Sequence, residues 1–189
     1  WWLVRTSDFI PEYDKIYCVS EPVRKQVIAR FPELADRTEV LLNFIDIKQV
    51  QRRSEEPLSD PQYTGELKFL TVGRASEEKG YDIAVQITAE LKKRGLCFKW
   101  FIIGDGRDLN KLRTMAKEYQ VEQEIIFLGM RENPAPYVKS CDLYLQPSRH
   151  EGYPITIVEA RSLQKVIIAS DIPSMREQIR DGENAGICG

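Results

Sequence analysis

The feature that most constrains this chain is the regular alternation of short apolar runs with helical patterns over residues 67 to 189. Apolar runs stand at Leu67–Val72, Phe98–Ile103, Ile125–Leu128, Leu143–Leu145 and Val166–Ala169. Each is nearly continuous, as a strand buried on both faces requires. Between them lie helical stretches. Lys79 to Arg94 sets Ile83, Ala84, Ile87 and Leu91 on one face and stops at Gly95, while Leu109, Leu112, Met115, Ala116 and Tyr119 form a second stripe. Strand and helix in turn imply an α/β fold with a doubly wound parallel sheet. Trp100, inside a strand, is expected in the core.

Residues 1 to 66 differ in texture. Lys15–Val19 and Glu39–Leu42 read as strands, with a helix over about Glu21 to Phe31 between them. Ser20 suits its N-cap and Pro22 its first turn. From Lys48 to Glu66 the chain is polar, with Ser54, Pro57, Ser59, Asp60, Pro61 and Gly65, which is the composition of a linker. The expected organisation is therefore 1–47, a linker over 48–66, and a main domain over 67–189.

Composition excludes several classes. With 42% hydrophobic and 30% charged residues the chain is not disordered. No apolar run approaches the ~18–20 residues that span a bilayer, and no signal peptide is readable at the start. Lys and Arg total 27 against 29 Asp and Glu, so a broad nucleic-acid footprint is not expected. Cys18, Cys97, Cys141 and Cys188 have neither zinc nor CxxC spacing, which suggests unpaired apolar fillers in a reducing compartment. The chain opens on Trp1 and closes on Gly189 inside an apolar stretch, so it is expected to be a piece of a longer protein with Trp1 and Trp2 exposed.

In a sheet of this kind ligands bind beyond the carboxyl ends of the strands. The loops there are GRASEEKG (73–80), GDGRD (104–108), GMREN (129–133), QPSRHEGYP (146–154) and SDIPS (170–174). None is a Walker A loop. GDGRDL carries Leu109 where a dinucleotide fingerprint needs its third glycine, and no DxD, HExxH or GxSxG occurs.

Arg74 follows a strand directly, and Lys79 falls where the next helix should begin. A cation there opposes the helix dipole unless an anion sits in the gap. Glu77 and Glu78 offer the plainer alternative of pairing with both cations and capping the helix. In the later loop, Gly152 permits close backbone approach and Pro154 fits a first helical turn. The free N–H groups near Tyr153 to Thr156 would then face a phosphate.

Glu151 and Glu159 stand in an E-x7-E pattern. Five helical residues alone separate them by roughly 7.5 Å. Their place on one rim suits a long ligand, with one carboxylate on a sugar and one on a ribose, better than a glycosidase pair facing one bond. The alternative is a helix-start carboxylate and a surface glutamate. His150 reads as a solvated neighbour, Asp105 as a turn residue, and Tyr153 as packing under the loop or in the core.

Taken together, VGRASEEKGYD (72–82), IIGDGRD, IIFLGM and DLYLQPSRHEGYPITIVEA resemble the retaining glycosyltransferases of family 4, the glycosyl transferases group 1, in consistent order. The family has the GT-B fold of two facing Rossmann-like domains. The resemblance implies that 67–189 is the C-terminal, donor-binding domain, truncated at its end, and that 1–47 is the tail of the acceptor domain.

It implies roles too. Arg74 and Lys79 match the diphosphate-neutralising pair, and Glu151 the glutamate on the transferred sugar. Glu159 matches the ribose-holding carboxylate, and Gly152, Tyr153, Pro154, Ile155 and Thr156 the phosphate cradle. Gly129, Met130 and Arg131 match the loop that meets the nucleobase through main chain.

The implied substrate is a nucleotide-diphosphate sugar, with no metal or other cofactor. The acceptor is a glycan or a lipid-linked molecule, held by the other domain. The expected location is cytoplasmic, with peripheral contact at the inner membrane face in the full-length protein. A donor half-site of this kind is expected to show little or no transferase activity alone. The competing readings are a doubly wound nucleotide-binding module without transferase activity and a sugar-nucleotide epimerase.

Overall fold

The computed structural model describes residues 13–180, 182 and 185–188. Trp1, Trp2 and Gly189 lie outside them. The chain divides into two compact units, 1–44 and 45–189.

Among its described residues the first unit forms a strand–helix–strand crossover, with a 3-10 turn (Pro32–Arg37) before the second strand. Strand β1 (Ile16–Cys18) pairs in parallel with β2 (Thr38–Val40), Tyr17 opposite Glu39. Helix α1 (Glu21–Arg30) connects them, with Ser20 accepting from the Val23 N–H as N-cap and Pro22 in the first turn. The expected elements are all present; β1 and α1 are shorter by a residue or two, and β2 starts one residue earlier and ends two earlier.

The second unit is built on a six-stranded parallel sheet. Its strands are β3 (Lys68–Val72), β4 (Lys99–Ile103), β5 (Ile125–Gly129), β6 (Leu143–Gln146), β7 (Ile167–Ser170) and β8 (Ala185–Cys188), in the order β5-β4-β3-β6-β7-β8. The order reverses between β3 and β6, where Leu70 pairs with Tyr144. That reversal is the switch point at which open α/β sheets bind ligands.

Side-chain alternation sends apolar residues to both faces. Leu70, Phe101, Ile103 and Tyr144 join one core cluster, while Phe69, Trp100 and Ile102 join the other. Trp100 is buried as expected, its Nε1–H donating to Thr71 Oγ1 at 2.9 Å.

Three expectations are corrected. The polar stretch 48–66 folds onto the sheet. Asp46 caps helix α2 (Ile47–Ser54) by accepting from the Gln49 N–H, and Tyr63 enters the core, its ring centroid 4.4 Å from that of Phe101.

Next, helix α3 runs from Tyr81 to Lys93 and buries Tyr81, Ala84, Val85, Thr88 and Ala89, leaving Ile87 exposed. Small side chains let the helix lie close to the sheet, and Thr88 is satisfied there by donating to the Ala84 carbonyl. Helix α4 (Leu109–Glu118) buries Leu112 and Ala116 as expected but leaves Tyr119 exposed.

Finally, all four cysteines are free, yet only Cys18 and Cys141 are buried; Cys97 and Cys188 are exposed and fill nothing. Among the described residues no helix is long and apolar enough to cross a membrane.

Candidate functional site

The carboxyl rim at the switch point is a ledge of loops tied backbone to backbone. Gly73 N–H donates to the Ile103 carbonyl and Gly104 N–H to that of Gly129, both at 2.9 Å. Ala75 N–H reaches the Asp105 carbonyl, also at 2.9 Å. Gly104 has φ +139°, and a Cβ there would lie 1.9 Å from the Gly73 carbonyl oxygen. Gly80 has φ +65°, and its Cβ would lie 2.0 Å from the Pro147 carbonyl oxygen. Only glycine permits these approaches. The GDG segment, weak as a motif, therefore has a packing role. Asp105 serves its turn as expected, accepting from the Gly106 N–H at 2.7 Å.

The left-handed Gly80 also corrects the position of Lys79. That residue ends a one-turn 3-10 helix (Glu77–Lys79), and α3 begins only at Tyr81. The Lys79 ammonium points across to the loop after β6, where it meets Glu151 Oε1 at 2.7 Å. Its partner is thus Glu151, not Glu77 or Glu78.

The same oxygen accepts from Gln146 Nε2 at 2.9 Å and from Ser148 Oγ at 2.7 Å. Gln146 also donates to Ser148 Oγ at 3.0 Å, and its side-chain Oε1 accepts from the Tyr144 hydroxyl at 3.3 Å. Gln146 and Ser148 are fully buried. Glu151 Oε2 takes no hydrogen bond among the described residues.

Helix α6 (Ile155–Ser162) starts beside this cluster. Pro154 is its N-cap rather than a residue of its first turn, and no side chain caps the helix. A cap without side-chain acceptor leaves the first N–H groups open to an incoming anion. Gly152 and Tyr153 form the half-buried turn before it, Ile155 is exposed, and Thr156 is half-buried.

Glu159, further along α6, is half-buried, and burial raises its carboxyl pKa above the ordinary value, with Arg53 partly opposing the shift. Its carboxylate has no hydrogen bond or ion pair among the described residues. Arg74 stands exposed just beyond β3, without an ion pair among the described residues. His150 is exposed, as expected of a solvated neighbour.

The loop after β5 carries the three residues expected to meet a nucleobase through main chain. Gly129 ends the strand and Met130 is 71% exposed, both on the rim. The Arg131 side chain is turned away. Its Nη2 donates to Asp60 Oδ2 at 2.8 Å and its Nε to the Tyr137 hydroxyl at 3.1 Å, while Tyr137 donates to the same Asp60 oxygen at 2.8 Å. Arg131 therefore pins the 55–63 segment to helix α5 (Ala135–Ser140), and only its main chain can face a ligand.

Sequence reasoning missed Gln146, Ser148 and Arg149. Arg149 grips Asp82 with two bonds of 2.6 Å, and its own N–H donates to the Glu78 carbonyl at 2.8 Å. It thereby fastens the loop carrying Glu151 to the turn carrying Lys79. The signal for Gln146 was present: a polar residue at the end of an apolar strand must be paired if buried.

The family model for glycosyl transferases group 1 matches residues 53–189. An uncharacterised glycosyltransferase of Methanocaldococcus jannaschii is 30% identical over 174 residues, 89% of this chain and 43% of that protein. The N-acetylgalactosamine-N,N'-diacetylbacillosaminyl-diphospho-undecaprenol 4-alpha-N-acetylgalactosaminyltransferase of Campylobacter jejuni is 26% identical over 175 residues, 92% of this chain and 46% of that enzyme. Among solved structures, TarM of S. aureus, crystallised with UDP and alpha-GlcNAc-glycerol, superposes with a TM-score of 0.81 at 18% identity. That match covers 97% of this chain and 36% of TarM. The chain thus spans less than half the length of these relatives.

Proposed function

The chain belongs to the glycosyl transferases group 1 family, and from that premise we propose that residues 67–189 hold the donor of a retaining transferase. The donor is a nucleotide-diphosphate sugar. The observation that carries the reading is the convergence, at the sheet's switch point, of Lys79, Glu151 and the uncapped start of α6.

The chemistry follows from the groups on the rim. The bond from the anomeric carbon to the diphosphate breaks, and its electron pair leaves with the diphosphate oxygen. Lys79, the exposed Arg74 and the N–H groups of Gly152, Tyr153, Ile155 and Thr156 stabilise that charge. Charge-assisted bonds of this kind contribute ~1.5–3 kcal/mol each. With cations and a helix terminus available for this work, the reading needs no metal.

Glu159 accepts from the ribose hydroxyls, which fits its unpartnered carboxylate, and the base lies along the main chain of 129–131. Glu151 orients the sugar. Three donors already crowd its Oε1, a poor preparation for a nucleophile. The acceptor, attacking from the leaving-group side, keeps the anomeric configuration.

An acceptor of glycan or lipid-linked type accords with the undecaprenol-linked substrate in the name of the Campylobacter relative. Four free cysteines accord with a cytoplasmic setting, peripheral to the membrane when the acceptor is a lipid. Because the chain spans less than half its relatives, we expect it to bind donor without transferring the sugar by itself.

Calorimetric titration with UDP, GDP and ADP, with and without EDTA, tests this. One nucleotide should bind saturably, insensitive to EDTA, and Arg74→Ala or Lys79→Ala should weaken it about tenfold or more. Binding that EDTA abolishes would refute the metal-free site. Nucleotide binding without any product from a full-length parent supplied with acceptors would favour a binding module.

A further inference from the structure

Lys79 and Glu151, read above as the diphosphate cation and the sugar-facing carboxylate, neutralise each other in this structure at 2.7 Å, with side chains 21% and 9% exposed. One ammonium cannot serve both partners fully. A diphosphate that draws Lys79 away leaves Glu151 as a nearly buried carboxylate without its counter-ion, which is costly unless other donors replace it. Gln146 and Ser148 stay on Oε1 and fix the carboxylate in place, but both are neutral. Oε2 takes no hydrogen bond among the described residues and stands ready for one. Sugar hydroxyls are the missing donors. A bare nucleoside diphosphate has none to offer there.

We propose that the Lys79–Glu151 ion pair is a selectivity device worked by partner exchange. Diphosphate takes Lys79, and the sugar's hydroxyls compensate Glu151. The site therefore favours a sugar-bearing nucleotide over the bare nucleoside diphosphate, and reforming the pair helps expel the spent nucleotide. Gln146 and Ser148 are the positioning residues that hold Glu151 through the exchange. The inference rests on the donor-site reading above and goes beyond it by assigning the pair a role in discrimination.

The test titrates UDP, GDP and ADP, and then UDP-glucose, GDP-mannose and ADP-glucose, into the chain and into Glu151→Gln, Lys79→Ala and the double variant. Thermal unfolding checks that each is folded. In Glu151→Gln the bare nucleotide should bind about three- to tenfold tighter, because Lys79 is freed. The matching nucleotide sugar should gain nothing, so the preference for it falls. In the Lys79→Ala background the same Glu151→Gln change should tighten the bare nucleotide less than about twofold, since no ammonium remains to be released.

Unchanged or weaker nucleotide binding in Glu151→Gln overturns the exchange while the donor-site reading stands. So does an equal gain with and without Lys79. If no nucleotide or nucleotide sugar binds the chain or any variant, the donor-site reading falls and the exchange with it. A crystal structure of the unsubstituted chain with the bound nucleotide decides the matter should Glu151→Gln fail to fold. Lys79 Nζ should sit on a phosphate and beyond ~4 Å from Glu151, and retention of the ion pair overturns the proposal.

Discussion

At the scale of single residues, the proposed site leaves polar groups without a partner among the described residues. Glu159 is the clearest case. Burial raises its carboxyl pKa above the ordinary 4.5, Arg53 opposes the shift only partly, and no donor meets it. The native chain therefore holds this proton more tightly than the unfolded chain does. Stability falls as pH rises from the unfolded pKa through the higher native one, and the whole cost persists at neutral pH. Glu159→Gln removes the ionisation. Its melting temperature at pH 7 should rise by roughly 1–3 °C, while nucleotide affinity falls as the ribose contact weakens. A lower melting temperature would mean that the carboxylate has a native partner. The sequence made Glu151 and Glu159 legible through their spacing. It did not show that Lys79 and Glu151 bind each other, because seventy-odd residues and a sheet reversal separate them.

At the scale of elements, the alternation of strands and helices was readable because a strand buried on both faces has almost no freedom in composition. Helix α2 was not. Its sequence IKQVQRRS has no wide apolar stripe, and its only sign was Asp46 placed to cap it. The segment after it is held by Tyr63 and Leu58 at the core and by a polar knot of Asp60 with Arg131 and Tyr137, with Asp60 and Arg131 side chains 11% and 27% exposed. Burial alone would raise the Asp60 pKa, but hydrogen bonds from Arg131, the Gln62 N–H and Tyr137 outweigh it and hold it below the ordinary 3.8. The knot's stabilisation is therefore complete above the unfolded pKa and lost as pH falls through the lower native value. Asp60→Asn or Arg131→Ala should each cost about 1–3 kcal/mol in urea unfolding at pH 7. Asp60→Asn should also lose less stability than the parent between pH 5 and pH 3. An unchanged urea midpoint would show that the segment is fixed by its other contacts, Tyr63 and Leu58 at the core and the Asn133–Glu56 bond, and not by the knot.

A second coupling at this scale joins the two loops that carry the site. The Arg149–Asp82 clamp and the Gly80–Pro147 approach fix the turn of Lys79 against the loop of Glu151. Gly80→Ala meets both a left-handed φ and a backbone oxygen at 2.0 Å. It should cost more than ~2 kcal/mol in thermal or urea unfolding and loosen nucleotide binding with it. Arg149 and Asp82 are each about a third exposed, with side chains 36% and 33% accessible. Their coupling in a double-mutant cycle should therefore be only about 0.5–1 kcal/mol. Neither interaction was legible in the sequence. A clamp between residues 67 apart and a close backbone approach both depend on which strands become neighbours.

At the scale of the whole molecule, that neighbourhood is the decisive fact. The order β5-β4-β3-β6-β7-β8 makes β3 and β6 adjacent with crossovers running opposite ways, and the loops that follow them meet at the carboxyl rim, where sheets of this kind bind ligands. Every residue of the proposed site, all six strands of that sheet and both core clusters lie in 45–189. The crossover formed by β1, α1 and β2 contributes none of these. A unit with its own core should fold by itself. A chain beginning at Ile45 should therefore bind the same nucleoside diphosphate with an affinity within about twofold of the longer one, measured by calorimetry. It should also keep the gain from Glu151→Gln, because Lys79, Gln146, Ser148 and Glu151 all remain. A loss beyond about tenfold, with the truncated chain still folded by circular dichroism, would place part of the donor site in the first unit. That result would make the rim at the switch point only one wall of the site.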